Sequence, residues 1–465
     1  MKTATDHSGP AAPVALSWSS QIRATLALGL PLIGAQLAHM AINVTDTVMI
    51  GWLGAEELAA GVLGAQVFFL FFILGTGFGL AAMPLAAQAH GRDDVRGLRR
   101  AIRMGMWVIL LLGAISMIPL WFTGSGFIAL GQEPHVAKMA QDYVRVAQWA
   151  LFPALLMTVL RSYLSALEKA HVVLWATVLG ALANALFNYM FIFGNFGAPR
   201  LEIVGAAVAS LGTTTITFVA LLIYCVKKKE LERYELLVRF WRPDWRAFFE
   251  LLRLGWPISA TIMAEVGLFA AAAVMVGWLG AIELAAHGIA LQLAGIAFMV
   301  PLGLSNAATV RIGQAYGRKD WTGLGQAGRV AVGLSIVATL TSASLFWLFP
   351  DTLIGWYLDS NNPDSAAVLR HGAPLLAIAA AFQVADGLQA VGSGLLRGLN
   401  DTKIPMFIAV TSYWIVGLPL GYLFGFVMGY GAEGVWWGLA SGLVLAALLM
   451  NWRFAARRRL GLVEV

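Results

Sequence analysis

The chain has 465 residues, of which 59% are hydrophobic and only 12% charged, with 50 glycines and 17 tryptophans. Soluble chains carry about 25% charged residues, so this composition excludes a soluble enzyme and describes a packed helical membrane protein. The net charge of +6 does not point to a nucleic-acid partner, because the basic residues lie between hydrophobic runs, where they act as topology signals.

Residues 1–22 form a polar tail containing Pro10, Pro13 and several serines. It lacks the compact apolar core and cleavage pattern of a signal peptide, so a cytoplasmic tail is expected. Apolar runs of roughly 20 residues then recur. They lie near 23–51, 57–85, 101–122, 143–165, 171–194 and 203–226. After a polar connector at 227–253 they resume near 254–279, 284–310, 327–349, 367–396, 404–429 and 432–453. The expected architecture is an all-α membrane protein of twelve transmembrane helices: an N-lobe at 23–226, a C-lobe at 254–453 and a cytoplasmic tail at 454–465. The single cysteine, Cys225, excludes an internal disulfide framework and a Cys-rich metal site, and is read as structural.

With the amino terminus inside, alternate gaps collect 27 of the 31 Lys and Arg residues on the cytoplasmic side. Lys138, Arg145, Arg200 and Arg370 remain outside. Both termini are therefore expected in the cytoplasm. The count places Arg161 and Arg397 among the cytoplasmic topology signals and leaves no Lys or Arg in mid-span.

The two halves repeat. Gly29 to Asp94 align without a gap on Gly255 to Asp320, with 24 identities in 66 positions. Met49 to Gly54 return as Met275 to Gly280, and the loop residues Gly91, Arg92 and Asp94 return as Gly317, Arg318 and Asp320. Chance similarity between apolar helices would not preserve loops equally well. Six spans separate the copies, so the lobes have the same orientation, with an axis near the membrane normal and a ligand path between them.

Three carboxylates fall inside the long apolar stretches: Asp46, Glu265 and Asp386. A charge at bilayer depth costs at least ~2.5–3.5 kcal/mol, so such groups are read as functional, binding a proton, a metal cation or a cationic ligand. In the first span Gln36, His39, Asn43 and Asp46 share one helix face. That face either knits helices together or lines a hydrated cavity; the acid in it favours the cavity. Asn184 and Asn188 sit one turn apart in the fifth span, with Asp46 as a plausible partner, either as interhelical glue or as part of an ion network. Glu265 occupies the repeat position of His39, not of Asp46, so the lobes are chemically unequal. Asp386 lies mid-way along the tenth span, with Gln389 and Ser393 on its face. Two close carboxylates repel when both ionise, so Glu265 and Asp386 are expected to hold Na⁺ or a proton between them. There is no Walker A loop, no GxGxxG at a strand–helix junction and no HExxH, so neither an enzyme nor a bound cofactor is expected, and an ion gradient is the energy source.

Several motifs together resemble the multidrug and toxic compound extrusion (MATE) family, in its NorM-type branch. They are Pro31 with Asp46 to Gly51, Pro257 with Glu265, Asn184 and Asn188 followed by Phe196 to Pro199, and Asp386 followed by Leu396 to Thr402 and Pro405. The resemblance covers about residues 20–455. It implies a cation-coupled antiporter of the bacterial inner membrane, acting as a monomer and exporting cationic and aromatic drugs and dyes by alternating access. It further implies an N-lobe site at Asp46, Asn184 and Asn188, and a C-lobe Na⁺ or H⁺ site at Glu265 and Asp386. Gln36, His39, Asn43 and Gln389 would line the cavity. Relatives using Na⁺ can carry a tyrosine one turn before the tenth-span acid; here that place is Phe382, which offers no oxygen, and both ions stay open. The alternatives are a flippase for lipid-linked saccharides, whose cavity should be more basic, and an intramembrane aspartyl protease, which would need Asp46 and Asp386 side by side.

Overall fold

The computed structural model describes residues 17–359 and 363–464; most of the expected N-terminal tail, 1–16, lies outside the described residues. Among the described residues, twelve helices are long and apolar enough to cross a membrane. They are α1 (Trp18–Gly51), α2 (Glu56–Gly91), α3 (Val95–Trp121), α4 (Pro134–Ala166), α5 (Ala170–Phe193) and α6 (Glu202–Lys227). The second half supplies α7 (Trp245–Gly277), α8 (Ala281–Gly317), α9 (Trp321–Leu348), α10 (Ser365–Gly398), α11 (Lys403–Val427) and α12 (Gly431–Ala455). No strand occurs among the described residues.

Most helices outrun the apolar windows that announced them. Hydropathy marks only the part that crosses hydrocarbon, whereas a helix continues until its free backbone amides find a cap. Asp94 caps α3 through the Gly97 amide at 2.8 Å, Asp320 caps α9 through Gly323 at 2.8 Å, and Asp244 caps α7 through Ala247 at 3.2 Å. The repeat extends to backbone geometry at these turns. Asp93 and its counterpart Lys319 take left-handed φ values of 54° and 57°. The next amides, of Asp94 and Asp320, close onto Ala89 and Ala315 at 2.8 and 2.9 Å.

The first helix of each half crosses into the other. Phe248, Leu251, Leu254 and Ile258 of α7 are buried in the core formed mainly by α1 to α6, while Leu268, Ala272 and Met275 further along α7 join the core of α8 to α12. In the same way the first part of α1 reaches α8 and α9: Ile33 packs at Gly303, and Gln21 donates to Gln326 and accepts from Arg311. Pro31 and Pro257, repeat-related, lie along these crossing segments.

The connector is strapped to α3. Arg99 pairs with Glu235 at 2.5 Å and Arg100 with Asp244 at 2.5 Å, and the Trp107 indole donates to the Phe240 carbonyl at 3.0 Å. Leu231, Tyr234 and Leu236 turn inward into the first core. Partial burial of Asp244 opposes ionisation, but the Ala247 amide and the Arg100 and Arg103 guanidiniums outweigh it and hold its carboxyl below the usual range.

The halves meet at the end of the molecule that carries the basic loops. The Gln88 amide donates to the Gly398 carbonyl at 2.9 Å and its oxygen accepts from Asn400 at 3.0 Å. Gln314, the repeat counterpart of Gln88, donates to the Ala166 carbonyl at 3.1 Å. Each glutamine thus takes a last-turn carbonyl of the fourth helix of the opposite half. Gly91 and Gly317 permit this approach: a Cβ at either would lie 2.3 Å from the Gln314 carbonyl oxygen or 2.2 Å from that of Gln88. At mid-depth, Ser259 donates to the Leu74 carbonyl at 2.6 Å.

Candidate functional site

Above this closed end lies a cavity of about 480 Å³, lined by α1, α2 and α4 of the first half and α7, α8 and α10 of the second. Its walls are mainly apolar and aromatic, with Phe69, Phe72, Phe298 and Met299 among them. Of the first-span stripe, Gln36, His39 and Asn43 line the space.

Asp46, one turn further along α1, does not line it. Its carboxylate accepts from the Asn188 amide at 2.6 Å and from the Ser210 hydroxyl at 3.3 Å. Asn188 also donates to the Asn184 carbonyl oxygen at 3.2 Å, and both asparagines are fully buried. The first half therefore joins α1, α5 and α6 through one acid, two amides and one hydroxyl. A smaller pocket of about 60 Å³ adjoins this group, with His39 and Arg161 shared between it and the central cavity. Its polar lining includes Thr177, Ser210, Thr213 and Thr217, which sequence reasoning missed. The signal was present: Ser210, Thr213, Thr214 and Thr217 recur at helical spacing on one face of α6.

In the second half Glu265 and Gln389 line the central cavity, and the Gln389 amide lies 3.5 Å from the Glu265 carboxylate. Asp386 is buried behind them, at 5% exposure, close enough to Glu265 for the two to interact electrostatically. One carboxylate is thus presented to the cavity and the other stored within the lobe. Among the described residues one Asp386 oxygen lacks a hydrogen-bond partner, and the fully buried Tyr413 hydroxyl stands beside Gln389 and near both acids. Tyr413 escaped sequence reasoning because it sits in a π-helical stretch of α11, Thr411–Gly417, where i→i+5 bonding shifts the face each residue presents. Phe382 packs on Trp436 with ring centroids 5.6 Å apart, so its position serves the lobe's aromatic core.

One expectation is overturned. The cavity contains basic groups: Arg161 from α4 and Arg397 from α10 both line it, together with Asp401 and Thr402. Both arginines had been counted as topology signals because they fall near span ends. The carboxy-terminal parts of the fourth and tenth helices, however, line the cavity there, through Arg161, Ser162, Ser165 and Arg397. Asp401 is already paired with Arg453 at 2.6 Å.

Two lobes of six spans around a central cavity, with ionisable groups inside the spans, define a membrane transporter of the alternating-access kind. The comparisons agree. The family model MatE matches residues 31–190 and 257–423, one segment in each half. A probable multidrug resistance protein NorM of Rhizobium meliloti is 51% identical over 94% of both chains, and one of Agrobacterium fabrum is 47% identical over 94% of both. A solved outward-facing multidrug resistance MATE family transporter superposes with a TM-score of 0.85 at 22% identity, covering 96% of this chain and 97% of that one. The eukaryotic MATE transporter AtDTX14 superposes with a TM-score of 0.84 at 18% identity, over 94% and 95% of the two chains. The chain belongs to the MatE family.

Proposed function

We propose that this protein is a cation-coupled multidrug antiporter of the bacterial inner membrane, working as a single chain. The observation that carries the reading is the central cavity: about 480 Å³ between two repeat-related lobes, within the range that holds drug-sized ligands, and bounded by one chain. Its aromatic and methionine walls offer adaptable apolar contact, which suits many aromatic substrates. The basic end is assigned to the cytoplasm by the positive-inside rule, so the closed end faces the cytoplasm and this state is the outward-facing one.

Coupling is assigned to the acids. Glu265 at the cavity wall and Asp386 behind it repel when both are ionised, so one proton or one Na⁺ is held while the site is closed off and released when it opens. Asp46, with Asn188, Asn184 and Ser210, is the corresponding group of the first lobe, and would take a proton in exchange for substrate. Dye efflux from proteoliposomes, with Na⁺ and pH gradients imposed separately, tests this. Export driven by either gradient is expected; export driven by neither, with protein verified in the bilayer, refutes it.

A further inference from the structure

The two halves repeat, but the charges at their basic ends do not. The register that sets Asp94 against Asp320 continues into the third helix of each half. It matches Gly97, Leu98, Ala101 and Arg103 of α3 with Gly323, Leu324, Ala327 and Arg329 of α9. In both halves the segment after the sixth span folds back against that helix. After α6 it is the connector, with Leu231 and Tyr234 buried in the first core; after α12 it is residues 456–464, with Val463 buried in the second. The connector brings carboxylates to α3: Glu235 pairs with Arg99 and Asp244 with Arg100, while Arg103 donates to the Arg239 carbonyl at 3.0 Å. The segment after α12 brings guanidiniums to α9 instead.

Arg457 donates through Nη1 to the Phe454 carbonyl at 3.0 Å and turns Nη2 toward α9. There Gly325 stands in the repeat position of Arg99. A Cβ on Gly325 would lie 3.0 Å from Arg457 Nη2 and 3.9 Å from Arg329 Nη2, so two guanidiniums converge over one patch of bare backbone. Partial burial, then the positive charges of Arg458 and Arg329, push the Arg457 guanidinium below its ordinary value. Among the described residues none of these three arginines has an ion-pair partner, and the segment's one acid, Glu464, pairs with Lys319 at 3.0 Å. Like charges brought together repel unless an anion joins them. Guanidinium forks match the oxygens of a phosphate.

The surroundings say where that phosphate comes from. The Arg329 guanidinium lies over the Trp18 ring, 5.4 Å from its centroid. Trp18 begins α1 and is 48% exposed, and Trp452, in the last turn of α12, is 62% exposed. Exposed tryptophans at span ends mark the membrane interface, where headgroups lie. We propose that Arg329 and Arg457, converging over Gly325, bind the phosphate of an anionic phospholipid in the leaflet at the basic end of the molecule. The headgroup takes the role that Glu235 and Asp244 play in the first half. It ties the segment after α12 to α9 and, through Trp18, to the start of α1. The proposal is independent of the exported substrate and of the coupling ion.

Amide exchange of the full-length protein in nanodiscs tests it, with discs of phosphatidylglycerol compared against discs of phosphatidylcholine with the same acyl chains. The amides of Leu460 and Leu462, bonded to the carbonyls of Ala456 and Arg457 at 3.0 and 2.9 Å, are the reporters. In wild type they should exchange roughly 5- to 30-fold more slowly in phosphatidylglycerol, the scale of one to two basic side chains at an anionic surface. The double variant Arg329→Gln, Arg457→Gln should lose that slowing. A control double variant, Arg96→Gln, Arg242→Gln, removes the same charge from exposed positions elsewhere on the basic end and should keep it. Each single variant of the site should lose part of the slowing, and carries the comparison should the double variant fail to fold. Equal exchange of wild type in the two lipids overturns the proposal, as does equal slowing in wild type and the folded site variants, or equal loss in the control. Inorganic phosphate added to phosphatidylcholine discs should change nothing; slowing to the phosphatidylglycerol level would overturn the lipid as the source of the phosphate.

Discussion

Alternating access requires the basic end to open, and the structure shows what must break. Gln88 makes two hydrogen bonds across the interface, at 2.9 Å to Gly398 and 3.0 Å from Asn400, whereas Gln314 makes one, at 3.1 Å to Ala166. A neutral hydrogen bond contributes about 0.5–1.5 kcal/mol net. Gln88→Ala should therefore weaken the closed end by roughly 1–3 kcal/mol, shifting the balance between the two states about 5- to 150-fold toward opening. Gln314→Ala should shift it roughly 2- to 12-fold. Distance distributions between spin labels at Leu53 and Leu279, repeat-related residues at the far ends of α1 and α7, would report the populations. The buried Cys225 would first be replaced by alanine. Both variants should raise the population in which those ends approach, Gln88→Ala more than Gln314→Ala. An unchanged distribution in Gln88→Ala would refute the assignment of this pair as a latch. A larger effect at Gln314 would refute the bond-counting behind it.

Three further outcomes follow from the sites. Asp46→Asn keeps the size of the side chain, and its new amide can donate to Ser210, so the fold should survive; export should fall about tenfold or more, the scale of losing one charged partner, and normal export would make Asp46 structural glue. Glu265→Gln and Asp386→Asn should each abolish gradient-driven export, with the double variant little worse than either alone, because the two act as one site; additive partial losses in the same efflux assay would separate them. Asp244 has a folded pKa below its unfolded value, so its stabilisation of the connector is full above the unfolded value of about 3.9 and is lost as pH falls through the folded one. Amide protection factors along 228–244, taken relative to the intrinsic exchange rate at each pH, should accordingly fall on acidification in wild type, and Asp244→Asn should flatten that response.

The helix count was readable because hydrocarbon demands long apolar runs, and the repeat was readable because Gly91 and Asp94 return as Gly317 and Asp320 in the same turns. The acids were readable because a charge in such a run is rare enough to be conspicuous. Arg161 and Arg397 were hidden by the rule that found the topology: near a span end, a basic residue that lines a cavity has the same sequence signature as one that faces cytoplasm. The crossing of α1 and α7 was hidden for a different reason. Hydropathy places Leu254 and Ile258 in a span but does not say in which lobe they are buried, since both cores are built from the same residue types, and Phe248 and Leu251 fall in the stretch read as connector.

That crossing governs how the protein can be made. Leu251 and its neighbours on α7 plug a core whose other walls come mainly from α1 to α6, so the first lobe is unfinished when the ribosome has completed six spans. Until residue 258 has entered the bilayer, the nascent N-terminal half exposes an unfilled seam to lipid and to chaperones. The lobes are thus interdependent at birth. Gene fragments cut within 228–244 should be unstable alone and recover only when both pieces are synthesised together.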